Sequence, residues 1–384
     1  MRLTLHLIFF QAIALSMFIS AQTVSTFAGP GISINDGLIQ AADGTIYGSR
    51  FGGDTVYKVS TNGMVTPYAT GFAAPNGLEF DADSNLVVCD HFGNTIYKVP
   101  PGGGTPVVFV ENIITPAGVI KDPLSDTLYV VQYNTNQLVK VASDGSVIPF
   151  IDGNNMDGPV GLAWDDSNRL YVANFNDGKI FRVDGNSLNQ IATIPGNSFS
   201  AIGFIAYGQG KIYATGIARH QIFQVDLATN ERTVLAGSGV RGSINGPAAD
   251  ARFNNPNGIL FDKRDNSLYI SDAQTSSLRQ VTGILTGISV ESQPGLAEAY
   301  QLGQNYPNPF NPATTIPFSL PAHQQVRITL YDINGRLVQN LLNTTLPAGQ
   351  HQLTFDLQNL ASGVYTYRIT AGEFQQVKRM ILQK

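Results

Sequence analysis

The 384-residue chain carries 23 Lys and Arg against 28 Asp and Glu, a formal net charge of −5, with only 13% charged residues. It has no basic cluster of the kind that displaces counterions from phosphates, which excludes nucleic acid as a partner. A lone cysteine, Cys89, excludes an internal disulfide framework, and 39 Gly, 20 Pro, 15 Tyr and 21 Phe suit short strands and tight turns better than helices.

Residues 1–21, MRLTLHLIFFQAIALSMFISA, set one arginine before a long apolar run and end on a small residue. Secretory signal peptides are built in that order, so cleavage after Ala21 is expected, leaving no permanent membrane span. The competing reading is an anchor, because Leu3 to Ala21 approaches the length of a bilayer crossing.

From residue 22 onward one unit recurs. An apolar residue opens a strand at Ile46, Leu86, Leu128, Leu170, Ile212 and Leu268, and another strand follows ten residues later at Val56, Ile96, Leu138, Ile180, Ile222 and Leu278. A glycine stands nine or ten residues ahead of each opening, at positions 37, 77, 118, 161, 203 and 258. Each unit reads as four short strands of β-branched and aromatic residues divided by Asp, Asn, Ser and Gly turns. Six such units predict a six-bladed β-propeller over residues 22–284. The sixth unit supplies only three strands. Thr23–Ala28 resembles the missing fourth, and its pairing beside Ser277–Thr282 would close the ring and cover both edges. The alternative is that residues 283–290 complete the blade.

Four residues after each second-strand opening stand Arg50, Asp90, Gln132, Asn174, Gly216 and Asp272, all but one polar. Arg50, Gln132, Asn174 and Asp272 are candidate ligand-binding residues at the channel mouth, Arg50 being suited to a carboxylate or a sugar acid. The competing use of the Asp and Asn members is to hold adjacent turns. Asp90 and His91 are the candidate catalytic residues, with His91 as a general base. His220, Phe51, Tyr133 and Phe175 fall in the adjoining loops, Trp164 reads as strand core, and Cys89 in LVVCD reads as a buried strand thiol.

The stretch VLAGSGVRGSINGPAADARFNNPNGILFD and the later LYISDAQTSSLRQV resemble NHL-repeat propellers. The NG and DG turns followed by apolar–Tyr–Val strands are similar to the gluconolactonase-like group. In that group a divalent cation is held at one end of the channel by oxygens just before the first-strand glycine. The resemblance implies Asp36, Asn76 and Asn257 as the metal ligands, with Ca2+ favoured by hard oxygen donors. This chain departs from the group in offering SINDG, hence Asp36, where a Glu ligand is usual, and in placing Ala117, Val160 and Ile202 at the equivalent positions of three other blades. Asn and Asp before Gly also serve simply as turn residues.

Residues 285–301 read as a linker. Beyond it, YPNPFNPATTIPFSL, VRITLYDINGRLV, LPAGQHQLTFD and NLASGVYTYRIT alternate as strands of a small immunoglobulin-like β-sandwich. Residues 302–384 resemble the C-terminal sorting domain of type IX secretion substrates, with Phe355 where Trp is frequent. The resemblance implies the type IX machinery as a partner and a secreted or outer-cell-surface location. The chain is therefore expected to be all-β, an exported propeller that binds an unidentified glycan, small molecule or protein. The alternative is a divalent-cation-dependent lactone or ester hydrolase, in which the metal polarises the carbonyl and activates water.

Overall fold

The computed structural model describes residues 22–384 apart from 154, 197–199, 285–288, 295–296, 298 and 358–359. The signal-peptide reading of residues 1–21 lies outside the described residues. Two compact units divide the described chain, one over Gln22–Ile284 and one from residue 285 onward. Among the described residues no helix is long and apolar enough to cross a membrane.

The first unit is a six-bladed propeller. Its first five blades are four-stranded antiparallel meanders, for example Pro75–Phe80, Leu86–Asp90, Thr95–Val99 and Val107–Glu111 in the second blade. The middle strands bury every residue in stretches such as Leu86–Asp90 and Leu170–Asn174, because each is covered by a neighbouring blade on both faces. Outer strands such as Val147–Asp152 are covered on one side at most, and their exposure alternates or rises accordingly.

The repeat glycines mark where adjacent blades touch. A Cβ on Gly37 would meet the carbonyl oxygen of Asn76, and one on Gly258 would meet that of Asp36, closer than side chains approach, so only a bare Cα fits. In five blades the pairing of the first and second strands also slips beside this glycine, as between Pro75 and Leu78 or Pro256 and Ile259. Such bulges release the preceding residue from the ladder and re-aim its side chain.

Closure follows the expected route. Thr23–Ala28 pairs antiparallel with Ser277–Thr282, Thr23 opposite Thr282 and Val24 opposite Val281, so both chain ends of the propeller share one blade. Gly246–Pro247, from the long connection into the sixth blade, pairs on the other side of Thr23 and Val24 and makes this sheet five-stranded. Of the alternative stretch 283–290, residues 285–288 lie outside the described residues, and Ser289 and Val290 pair with Thr354 and Leu353 instead of the blade.

The second unit is a β-sandwich of two four-stranded sheets. Ala313–Leu320 and Gly349–Asp356 lie in one, Gln324–Tyr331 and Gly363–Ala371 in the other, and Leu353, Phe355, Ile328 and Tyr367 fill the space between. The linker reading of 285–301 is corrected in part, because Ser289–Pro294 is a strand paired with Gly349–Thr354 and Gln301–Leu302 pairs with Phe318–Ser319. Short turn-rich stretches carry little strand signal of their own, and here an already formed sheet edge supplies the pairing.

The motif QNYPNPFNPATTI is pinned to this sandwich by Tyr367. The Tyr367 hydroxyl donates to the Gly303 carbonyl at 2.8 Å and accepts the Asn305 N–H at 2.9 Å. The Asn305 amide then bridges Pro307 O and Thr314 Oγ1, which ties the proline-rich turn to its first long strand.

Candidate functional site

The six residues before the repeat glycines gather at one end of the propeller channel. Four of them, Asp36, Asn76, Val160 and Asn257, line a cavity of about 380 Å3. Its polar lining comes from Asp36, Asn76 and Asn257 of blades one, two and six, with Asn134 of the third blade. Phe51, Tyr133 and Phe175 with His91 and Phe92 add aromatic rings to the lining.

The aromatic rings have a repeat origin. Phe51, His91, Tyr133 and Phe175 occupy the same position in blades one to four, five residues after the second-strand opening, whereas blades five and six place Ile217 and Ala273 there. A common backbone bond fixes several of them: His91 N–H donates to Ala74 O, Tyr133 N–H to Thr115 O and Phe175 N–H to Gly158 O. Phe51 is held instead by Asn35, whose side chain makes a reciprocal pair with the Phe51 N–H and carbonyl at 2.8 and 3.1 Å. His91 then sits edge-on to Phe51, Phe92 and Tyr133, with ring centroids 5.1 to 5.7 Å apart. Phe92, 61% exposed, forms the rim. Its contribution was legible only as the residue next to His91.

The polar residues are also held in place from behind. Ser49 Oγ donates to Asn76 O at 2.6 Å, Thr215 Oγ1 to Asn257 O at 2.6 Å and Ser271 Oγ to Asp36 O at 3.0 Å. These three hydroxyls occupy one repeat position, three residues after the second-strand opening, and each grips the next blade around the ring. The other blades place Cys89, Val131 and Ala173 there, and the residues they face are the apolar Ala117, Val160 and Ile202. A hydroxyl in one blade and a polar cavity residue in the next therefore occur together.

Asp36 is 3% exposed, and its carboxyl is pushed up to about 8 by burial, against the lowering effect of the hydrogen bond from Asn257. Its Oδ2 and Asn76 Oδ1 are buried without a hydrogen-bond partner. His91 is held below its usual range, chiefly by burial. The Pro116 backbone and Asp90 act in the opposite sense, and Nδ1 is buried without a hydrogen-bond partner.

As metal ligands the three expected residues come together, but their atoms do not make an oxygen cage. Asn257 Nδ2 donates both to Asp36 Oδ1 at 2.8 Å and to Asn35 O at 3.1 Å, and because a carbonyl only accepts, this amide orientation is fixed. Asp36 and Asn76 then offer one free oxygen each, against about six to eight for Ca2+. Among the described residues no group of three or more His, Cys, Asp or Glu side chains could hold a metal.

The second ring serves the loops. Asp90 accepts the Ala73 and Ala74 N–H groups at 2.8 and 2.6 Å and is not among the residues that line the cavity. Gln132 donates to Ile114 O, and Asn174 to Asn155 O and Asp177. Asp272 accepts the Asn254 N–H and pairs with Arg279. Arg50 is exposed, its stem packed over Gly53, and is not among the lining residues. His220, at φ 55, accepts the Asn255 N–H on Nδ1, the place in the repeat where Asn94 and Asn136 likewise hold the following connection. Cys89 packs among Val87, Ile96 and Val130, where burial pushes the thiol up, so it forms no nucleophile pair with His91.

Residues 304–383 match the family described as the secretion system C-terminal sorting domain, which marks the chain for type IX export to the cell surface or medium. No curated protein matches the chain. Among solved structures the propeller fold is shared with an auxiliary nutrient binding protein from Bacteroides thetaiotaomicron, at 15% identity and TM-score 0.59 over 68% of this chain and 76% of that one. It is also shared with a structure assigned to the gluconolactonase family, at 15% and 0.51 over 70% and 94%. A third relative in fold is the PQQ-bound aldose sugar dehydrogenase of Streptomyces coelicolor, at 14% and 0.53 over 69% and 99%.

Proposed function

We propose that this chain, an NHL- and gluconolactonase-like propeller carried outward by a type IX sorting domain, is a binding module that takes a small ligand in the cavity at one end of its channel. The observation that carries this reading is the meeting of Asp36, Asn76 and Asn257 with an arc of aromatic side chains around one cavity of about 380 Å3, a size and lining common to small-molecule sites. The second-ring residues Asp90, Asn174 and Asp272 make hydrogen bonds to their own loops and do not line this cavity, which leaves Asp36, Asn76 and Asn257 as the ring that does.

The nutrient-binding description of one fold relative is consistent with such a role. A thermal-shift screen of the full exported chain against sugars, amino acids and nucleosides tests it, since a ligand that binds only the folded state raises Tm. Phe175→Ala and Asn76→Ala should remove any shift that wild type shows. A shift that survives both variants would move the site elsewhere.

The hydrolase reading rests on the two free oxygens of Asp36 and Asn76. It requires stabilisation by millimolar Ca2+ that Asp36→Asn abolishes, and lactone turnover dependent on that ion.

A further inference from the structure

We propose that the outward face of one sorting-domain sheet is a docking surface for an anionic lipid bilayer, contacted through three arginines and the aliphatic side chains among them. The propeller cavity plays no part in it.

Strand alternation sets this face. In Gln324–Tyr331 the sandwich buries Val326, Ile328 and Leu330, which turns Arg327 outward. In Gly363–Ala371 it buries Tyr365, Tyr367, Ile369 and Ala371, which turns Val364, Thr366 and Arg368 outward. In Phe374–Leu382 it buries Met380 and Leu382 and leaves Val377, Arg379 and Ile381 exposed. Arg327 pairs with Thr370, two residues to one side of Arg368, and Arg379 pairs with Thr366, two residues to the other. The arginines therefore run diagonally across three adjacent strands, each about 7–8 Å from the next. They are far apart in the chain, so no basic run in the sequence announces them.

The face carries no opposing charge. Its positions in these three strands include no Asp or Glu, and among the described residues none of the three arginines forms an ion pair. Arg368 lies instead over the Tyr331 ring, 4.9 Å from its centroid, and donates to the Tyr331 hydroxyl. Residues 302–384 hold six Lys and Arg against three Asp and Glu, in a chain whose net charge is −5. Neighbouring positive charges without counter-ions repel one another, and a polyanionic partner offsets that repulsion.

The aliphatic residues select a bilayer among polyanions. Val377 is 56% exposed and pairs with Arg368, and Ile381, 41% exposed, pairs with Val364. Guanidinium groups reaching phosphates while aliphatic side chains enter the acyl boundary is the chemistry of interfacial binding. A peptide adding as a further strand meets an edge already in use beside Arg379 and Ile381. Gln304 Nε2 donates to Arg379 O, Phe310 N–H to Ile381 O, and Asn308 Oδ1 accepts the Ile381 N–H.

The test is cosedimentation of the full exported chain with phosphatidylcholine vesicles that contain or lack phosphatidylglycerol. Binding is expected at least about tenfold stronger with the anionic lipid, and lost in about 1 M salt. Arg327→Gln with Arg379→Gln should weaken it about twentyfold, each arginine counting about fivefold. Val377→Ser with Ile381→Ser should weaken it at least about threefold. All four positions are exposed, so the urea midpoint of either double variant should match wild type.

Equal binding to both kinds of vesicle, or to neither, overturns the proposal. Unchanged affinity in either double variant overturns it too, because the face then makes no contact with lipid. Polyglutamate that binds as tightly as the anionic vesicles, at equal concentration of anionic groups, assigns the face to an acidic polypeptide and overturns it as well.

Discussion

Asn257 of the sixth blade donates its side-chain N–H to Asp36 Oδ1 of the first blade at 2.8 Å, across the joint where the propeller ring closes. The same joint carries the Ser271 hydroxyl on the Asp36 carbonyl, so one contact surface both seals the ring and shapes the cavity wall.

The state of Asp36 makes stability depend on pH. Its folded pKa, about 8, lies above the ordinary value near 3.9, so over that interval the folded chain holds a proton that the unfolded chain has released. Stability contributed by this group is therefore fully present at acid pH and lost as pH rises through about 8. Asp36→Asn mimics the protonated carboxyl. Its Tm should exceed that of wild type by a growing margin between pH about 5 and 9, equivalent to up to a few kcal/mol. Parallel Tm curves for the two proteins would show that the carboxyl is not perturbed.

Ser271 accepts the Gly258 N–H at 2.7 Å and donates to Asp36 O at 3.0 Å, both in buried surroundings. Ser271→Ala leaves both backbone groups unpaired and should cost about 1–3 kcal/mol in urea unfolding, with Ser271→Thr restoring most of it. Equal losses in the Ala and Thr variants would point to packing rather than to the hydroxyl.

Arg279 and Asp272 form an ion pair at 3.2 Å with both side chains fully buried, and the guanidinium also holds the carbonyls of Arg252 and Ile244 and the side chain of Asn245. Removing one partner strands the other charge, so Arg279→Met should cost about 3–5 kcal/mol. Because those carbonyls belong to the connection before the sixth blade, limited proteolysis should then cut within residues 238–250 first. A variant as resistant as wild type would deny Arg279 this role.

Deleting residues 22–28 takes away the strand shared at closure, including the buried Val24, and uncovers the long edge Ser277–Thr282. An unpaired edge of that kind templates association, so the truncated chain should elute as higher oligomers in gel filtration where the full exported chain does not. Elution at the full chain's size would show that the edge is covered by other means.

In the sorting domain, Tyr367→Phe removes the hydroxyl that bridges Gly303 O and the Asn305 N–H. Loss of about 1–2 kcal/mol is expected in chemical unfolding followed by a probe within this domain. Retention of the wild-type midpoint would show that the proline-rich turn is held by Phe310 and Asn308 instead.

The six-bladed plan was legible because the repeat fixes strand spacing independently of distant contacts: the openings at Ile46 through Leu268 and the strands ten residues on all appear where the pattern put them. The closing strand was legible for the same reason, as a unit lacking one member. That Asp36, Asn76 and Asn257 would face one cavity also followed from their shared repeat position. What each side chain does there did not follow. Asp90, Asn174 and Asp272 have the polar character of a binding ring, yet the two carboxylates accept loop N–H groups and the Asn174 Nδ2 donates to the Asn155 carbonyl, partners whose proximity no local pattern specifies. Likewise the fixed amide of Asn257, which turns an expected metal ligand into a donor to Asp36, depends on the Asn35 carbonyl more than 200 residues away in sequence. Periodicity determined which residues share a rung of the ring. Only the closed ring decided which of their polar atoms remain free, because hydrogen-bond satisfaction is a property of neighbours brought together by packing, and in this protein those neighbours come from different blades.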